Sequence, residues 1–278
     1  MRTAPVDFSN LCLHTMTTKP WSLTEAIEGY REAGIPAVTV WRQHIEPFGP
    51  KKAGTLLRES GLKVVSFCRG GFFPAVTERE RSKAVDDNRR AIDEVAEIGA
   101  PLLVLVCGAV PGQPLEESRK QVADGIAAIL PRAESAGVRL SIEPLHPMYA
   151  DSRSAVNTLK QANDVVETLG GAGLGVTVDV YHVWWDPDLE REIRRAGANG
   201  WLASFHISDW RTPTRDLLND RALMGEGCIP IRRIRDWVRA AGFTGHDEVE
   251  LFSDECWSGD QTKVLERIKR AYATCLAE

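Results

Sequence analysis

The sequence predicts an α/β fold, a single (β/α)8 TIM barrel spanning residues 1–278. Three observations lead there. Short runs of nearly all-apolar residues recur along the chain, as strands buried on both faces require. Stretches of helical period separate them. Eight such units in 278 residues match a closed barrel, typically of about 250 residues, better than an open doubly wound sheet. No Gly-rich phosphate loop follows the first run, and Gly173-Leu174-Gly175 precedes a run instead of following one. A dinucleotide-binding sheet is therefore disfavoured.

The predicted strands, in order, are Leu11 to Met16, Ala37 to Trp41, Lys63 to Cys68, Leu102 to Cys107, Arg139 to Glu143, Gly175 to Val180, Leu202 to Ile207 and Glu248 to Phe252. Between the first two, Ser22 caps a helix that ends near Gly34. Residues 49–60 form a shorter one. Arg79 to Ile98 is long and charged, yet Ala91, Ile92, Val95, Ala96 and Ile98 give it one apolar face. Leu115 to Ala136, Ala155 to Leu169, Ile231 to Ala241 and Gln261 to Leu276 follow the same pattern, with a short candidate at 186–196.

Lys and Arg number 34 against 39 Asp and Glu, a net charge of −5. That disfavours a nucleic-acid binder held by its net charge. No stretch is apolar and uncharged for long enough to span a membrane. The segment Met1 to Asp7 lacks the apolar centre of an export signal, so a cytoplasmic location is expected. Cys12, Cys68, Cys107, Cys228, Cys256 and Cys275 form no CxxC pair and match no zinc-cluster spacing. They are expected to be reduced and to pack as small buried hydrophobes.

In such a barrel the chemistry sits where the strands end at their C-termini. Four of those ends carry metal-type ligands on successive strands: Glu143, Asp179, His206 and Glu250. Three carboxylates converging on one mouth repel unless a cation or shared protons neutralise them. Three oxygen ligands and one imidazole suit a single divalent ion, Mn²⁺ best, with Mg²⁺, Co²⁺ or Zn²⁺ also compatible. His146 follows Glu143 by three residues and is expected to point into the mouth, where an imidazole would serve as an extra general base.

The segments Ile142-Glu143-Pro144-Leu145, Val178-Asp179-Val180-Tyr181-His182, Ser204-Phe205-His206-Ile207-Ser208-Asp209, Gly225-Glu226-Gly227 and Val249-Glu250-Leu251-Phe252 occur in that order. Together they resemble the xylose isomerase-like TIM-barrel superfamily, in particular its sugar phosphate isomerase/epimerase group. The resemblance covers essentially the whole chain and is strongest from 139 to 252. It implies that Glu143 and Glu250 bind the metal and also move protons, with Asp179 and His206 as the other two ligands. By the same resemblance His182 and Arg211 hold the substrate, and Glu226 orients His206 from behind. The ketose epimerases of this group usually place another glutamate six residues after the strand-five ligand. Here that position is Tyr149.

The implied partner is a small sugar or sugar derivative, with Trp184 and Trp185 as candidate stacking surfaces. No phosphate cradle is evident, although Arg69-Gly70-Gly71 could touch an anion. Three outcomes of one enediolate remain open. Proton return gives epimerisation or isomerisation, and loss of a leaving group, with His146 as base, gives a lyase, dehydratase or C-glycoside deglycosidase. An inactive binding or assembly subunit is disfavoured because all four ligand types are present. Association as a homo-oligomer or with a second subunit is expected.

Overall fold

Eight parallel strands close on themselves in chain order, the last beside the first. They are β1 (Leu11–His14), β2 (Ala37–Trp41), β3 (Lys63–Gly71), β4 (Leu102–Val106), β5 (Arg139–Glu143), β6 (Leu174–Asp179), β7 (Leu202–Ile207) and, after a two-stranded hairpin of β8 (Asp209–Trp210) and β9 (Arg221–Ala222), β10 (Asp247–Val249). The computed structural model describes residues 7–276. The reading of Met1 to Val6 as no export signal lies outside the described residues.

The helices form where the apolar faces predict. Leu23–Glu32 starts on a capping box in which Ser22 and Glu25 satisfy each other's backbone amides, and Glu78–Ile98 starts on the same device, built from Thr77 and Glu80. Leu115–Ser135, Leu159–Leu169, Leu189–Ala198, Ile231–Ala240 and Gln261–Leu276 complete most of the outer layer. Among the described residues no helix is long and apolar enough to cross a membrane.

Several strands end elsewhere than expected, β1 at His14 instead of Met16 among them, and two of these differences shape the mouth. β3 continues to Gly71, with a register shift between Cys68 and Gly70. Buried Asn88 closes this end: its Oδ1 accepts from Gly71 N at 2.6 Å and its Nδ2 donates to Gly71 O at 2.8 Å. β10 stops at Val249, so Glu250 stands one residue beyond it, tied by its amide to Ile207 O at 3.2 Å.

The core lies between barrel and helices and includes Leu11, Leu103, Leu140, Val176, Phe205 and Ile268, each fully buried. Inside the barrel a polar layer crosses the axis. Glu248 Oε2 accepts from Thr39 Oγ1 at 2.5 Å and Ser66 Oγ at 2.8 Å, and its Oε1 accepts from Ser204 Oγ. All six cysteines are free. Cys12, Cys68, Cys107 and Cys256 are buried, but Cys228 is exposed and Cys275 half-buried, against expectation. Cys228 stands in the turn just before Pro230, where no wall covers it.

Candidate active site

Strand register brings the predicted ligands together. Asp179 and Glu248 lie directly opposite His206 on its two neighbouring strands. Residues two apart on a strand share a face, so Glu250 rises above Glu248 on the same side. Glu143 ends β5 on the far side of Asp179. Glu143, Asp179, His206 and Glu250 are all buried, and each offers one ligand atom within 4.8 Å of the others.

The donor set fits a cation. His206 Nδ1 lies 3.0 Å from Glu143 Oε1 and 4.0 Å from Glu250 Oε2. Despite that closeness, Glu143 Oε1 and both ring nitrogens of His206 have no hydrogen-bond partner among the described residues. Buried polar atoms are seldom left so. Burial pushes Asp179 up to about 7, with Glu250 and Glu143 adding to it against Arg221. Burial opposes charging of His206, yet Glu143, Glu248 and Glu250 lift it to about 10. In the absence of an ion, protons would take up the excess negative charge. The other possible donor groups, His14-His206-Glu248 and His14-Cys68-Glu250, reuse members of the main set. In the second of these His14 Nδ1 already accepts from Trp41 Nε1 at 3.1 Å, while in the first His14 Nε2, 3.5 Å from Glu248 Oε2, has no hydrogen-bond partner among the described residues.

One residue that sequence reasoning missed is Arg221. It is buried, and its Nη1 reaches Glu250 Oε2 at 2.8 Å and Asp179 Oδ2 at 3.1 Å. Its Nη2 lies 3.1 Å from His182 Nε2, and its guanidinium stacks 4.3 Å from the Tyr181 ring. Glu248 was also missed, although its spacing from Glu250 was a period-two signal that both face inward. Burial, with Arg221's charge, drives His182 well below its ordinary range, so its ring is neutral.

Above these groups lies a cavity of about 210 Å³, lined among others by Trp41, Arg69, Glu143, Tyr149, His182 and Arg221. Drug-sized ligand pockets run to roughly 300–1,000 Å³, so this one suits a molecule of monosaccharide scale. Trp41 and Phe252, edge to face at 5.3 Å, make its aromatic wall.

Several expectations need correction. His146 does not enter this cavity. The 3-10 turn Pro147–Tyr149 begins directly after it, His146 Nδ1 accepts from Met148 N at 3.2 Å, and the ring packs beside Trp185 and Trp210. Arg211 turns away and pairs with Asp220 at 3.0 Å and Glu255 at 3.5 Å. Trp184 and Trp185 line a separate surface hollow with Pro230 and Trp237, since Trp185 Nε1 is tied back to His182 O at 2.9 Å. Glu226 is exposed and faces Arg267 at 3.7 Å. Its neighbours Gly225 and Gly227 instead give their amides to Asp209 Oδ2. The acid beside His206 Nε2 is Glu248, at 3.7 Å.

Fold and site thus define an eight-stranded parallel barrel with a buried carboxylate and imidazole centre at its C-terminal mouth. The chain belongs to the xylose isomerase-like TIM barrel family, whose model matches residues 27–271. It is similar to protein SMc04130 from Sinorhizobium meliloti 1021, at 47% identity and a TM-score of 0.94, covering 98% of this chain and 100% of that one. It is 25% identical over 153 residues to a probable endonuclease 4 of Mesomycoplasma hyopneumoniae (strain J / ATCC 25934 / NCTC 10110), covering 52% of this chain and 54% of that protein. Identity to the inosose isomerase of Bacillus subtilis (strain 168) is 25% over 158 residues, 56% of this chain and 55% of the relative. The chain therefore spans about half the length of the curated relatives it matches. The fold is shared with the IOLI protein solved with a binding zinc atom (TM-score 0.84, 19% identity, 96% and 98% coverage). It is also shared with 3-keto-D-glucoside 4-epimerase, YcjR, from E. coli (TM-score 0.78, 18% identity, 96% and 99% coverage).

Proposed function

We propose that this chain is a divalent-metal-dependent isomerase or epimerase of a keto-sugar or other α-hydroxy-carbonyl sugar. The observation that carries this reading is the convergence of Glu143, Asp179, His206 and Glu250 beneath a cavity of monosaccharide size. Bound there, a divalent ion, Mn²⁺ by donor type, would act as a Lewis acid and make the C–H beside the substrate carbonyl more acidic.

The chain's own groups supply the remaining chemistry. Glu143 and Glu250 reach the site from β5 and from the residue after β10. Glu143 Oε1, 3.0 Å from His206 Nδ1 and without a hydrogen-bond partner among the described residues, is placed to take the proton from carbon while the electron pair stays in the enediolate. Glu250, held ionised despite burial by Arg221 and His14, serves the opposite side. Proton return to the other face of the same carbon epimerises it, and return to the adjacent carbon isomerises the sugar. Neutral His182, its Nδ1 accepting from His146 N and its Nε2 3.1 Å from Arg221 Nη2, holds the guanidinium that orients substrate oxygens, and Trp41 and Phe252 exclude water.

The inosose isomerase and the 3-keto-glucoside epimerase among the similar proteins support this class of reaction. Elimination is not carried forward, because His146, its base, packs outside the cavity. A nucleic-acid substrate, suggested by the endonuclease relatives, finds less support in a chain of net charge −5.

Elemental analysis of untagged protein against Glu250→Gln tests the first half. About one divalent ion per chain is expected in the wild type, and less in the variant. Proton NMR in D2O tests the second half, by deuterium entering ketoses beside the carbonyl. No metal after incubation with Mn²⁺, or no exchange with any ketose, would overturn the reading.

A further inference from the structure

Among the described residues, two arginines of the cavity form no ion pair with a carboxylate. Arg69 and Arg153 line it together with Glu143 and Glu250. The other arginines around the mouth are spoken for. Arg42 binds Glu94 and Asp87, Arg211 and Arg215 share Asp220, and Arg221 binds Asp179 and Glu250. Among the described residues neither Arg69 nor Arg153 shows a side-chain hydrogen bond or an ion pair. Each instead meets an aromatic ring: Arg69 lies 4.2 Å from the Phe72 ring centre and Arg153 lies 5.7 Å from that of Tyr149. Such contacts orient a guanidinium without neutralising it.

The charge balance of the site leaves both uncompensated. With a divalent ion bound, the three ligand carboxylates would be offset by that ion and Arg221, while Glu248, ionised beneath them, faces the rings of His14 and His206. Two positive charges then remain on one side of a small cavity. They also feel each other: burial, and next Arg153, pull Arg69 below its ordinary value. Like charges facing one cavity destabilise it unless something negative arrives. Tyr149, whose hydroxyl burial keeps protonated, adds no charge to the wall.

Both arginines stand on tied backbone. Arg69 precedes the Gly70-Gly71 end of β3 that Asn88 clamps. Arg153 is held between Tyr149 O, which its amide reaches at 3.0 Å, and Gly108 N, which donates to its carbonyl at 2.9 Å. The pair is therefore a positioned feature of the wall, carried by β3 and by the loop after β5.

We propose that Arg69 and Arg153 form an anion subsite, and that the substrate is an acidic sugar whose carboxylate or phosphate they grip while the carbonyl end faces Glu143 and Glu250. This rests on the metal-dependent isomerase reading and narrows it from sugars in general to anionic ones. Guanidinium groups bind both anions through charge-assisted hydrogen bonds.

Calorimetric titration with D-fructose, D-fructose 6-phosphate and D-fructuronate tests it, on Mn²⁺-treated and untreated protein. At least one anionic ketose should bind about tenfold or more tightly than the neutral one, and which one identifies the group. The preference should fade with added salt and vanish in Arg69→Gln/Arg153→Gln, with metal content unchanged. Arg153→Gln alone serves if the double variant does not fold. Equal binding of all three ketoses, no binding of either anionic one at millimolar concentration, or a preference that survives the substitutions would overturn the subsite. Deuterium exchange into neutral ketose without any anion preference would sink this proposal and leave the isomerase reading standing. Anion preference without exchange into any ketose would do the reverse.

Discussion

Glu248 lies under His206, its Oε2 3.7 Å from His206 Nε2, while the other ring nitrogen faces Glu143. The same carboxylate reaches His14 Nε2 at 3.5 Å. Burial would raise it, but His14, His206 and Ser204 hold it down at about 2. Carboxylates behind a ligating histidine commonly fix its ring and basicity. Glu248→Gln should therefore weaken Mn²⁺ affinity about 10–100-fold, read by metal titration. Wild-type affinity in that variant would reduce Glu248 to a packing group.

Arg221 lies between two of the ligand carboxylates, so its removal leaves buried negative charge uncompensated. Arg221→Gln should destabilise the metal-free protein by about 3 kcal/mol, and added Mn²⁺ should raise Tm more in the variant than in the wild type. Thermal melts with and without the ion measure both. An equal metal-induced shift would contradict the placement of the guanidinium.

His44 supplies a pH dependence. It is 8% exposed, and burial lowers its pKa to about 4, against about 6.5 in an unfolded chain. The folded value is the lower one, so the neutral ring contributes stability at pH above 6.5. That contribution is lost as pH falls from about 6.5 through about 4, and amounts to about 3 kcal/mol. His44→Gln should flatten the fall of Tm across this window relative to the wild type.

Gly227 faces a crowded wall. A Cβ there would come within 2.3 Å of Trp210 O and 2.4 Å of Asp209 Oδ1. The backbone carbonyl cannot step aside freely, so Gly227→Ala should cost about 2 kcal/mol or more, measured by urea denaturation. An unchanged midpoint would mean that this turn gives way more readily than the geometry indicates.

His146 should prove dispensable for chemistry. Its ring packs on Trp185 and Trp210 outside the cavity, so His146→Ala should keep metal content and the deuterium-exchange rate. A collapse of exchange with metal intact would restore it as a base.

Much of the fold was legible because strands buried on both faces leave unbroken apolar runs, as Leu102 to Val106 does. The four candidate ligands, which the structure gathers within 4.8 Å of one another, were legible for a related reason: each is a polar residue at the abrupt end of such a run. Arg221 was not. It sits in a two-residue strand after the polar stretch 211–220, where no periodicity says which of Arg211, Arg215 and Arg221 turns inward. Only the pairing of Arg211 and Arg215 with Asp220 decides it. His146 was misplaced because spacing alone puts it at the mouth, whereas the turn that Pro147 opens swings its ring aside.

Asp209 accepts the backbone amides of Trp210, Gly225, Gly227 and Ile229. One carboxylate thus pins both roots of the excursion that carries Arg221, while residues between them, such as exposed Leu217, remain at the rim. The crest between them is exposed at Leu217 yet touches the mouth, where Tyr149 Oη donates to Leu217 O and Leu218 lines the cavity, and exposed loop tips are where exchanges are best tolerated. Residues 212–218 are therefore the natural graft point for altering which molecules enter, leaving the buried centre beneath as a constant foundation.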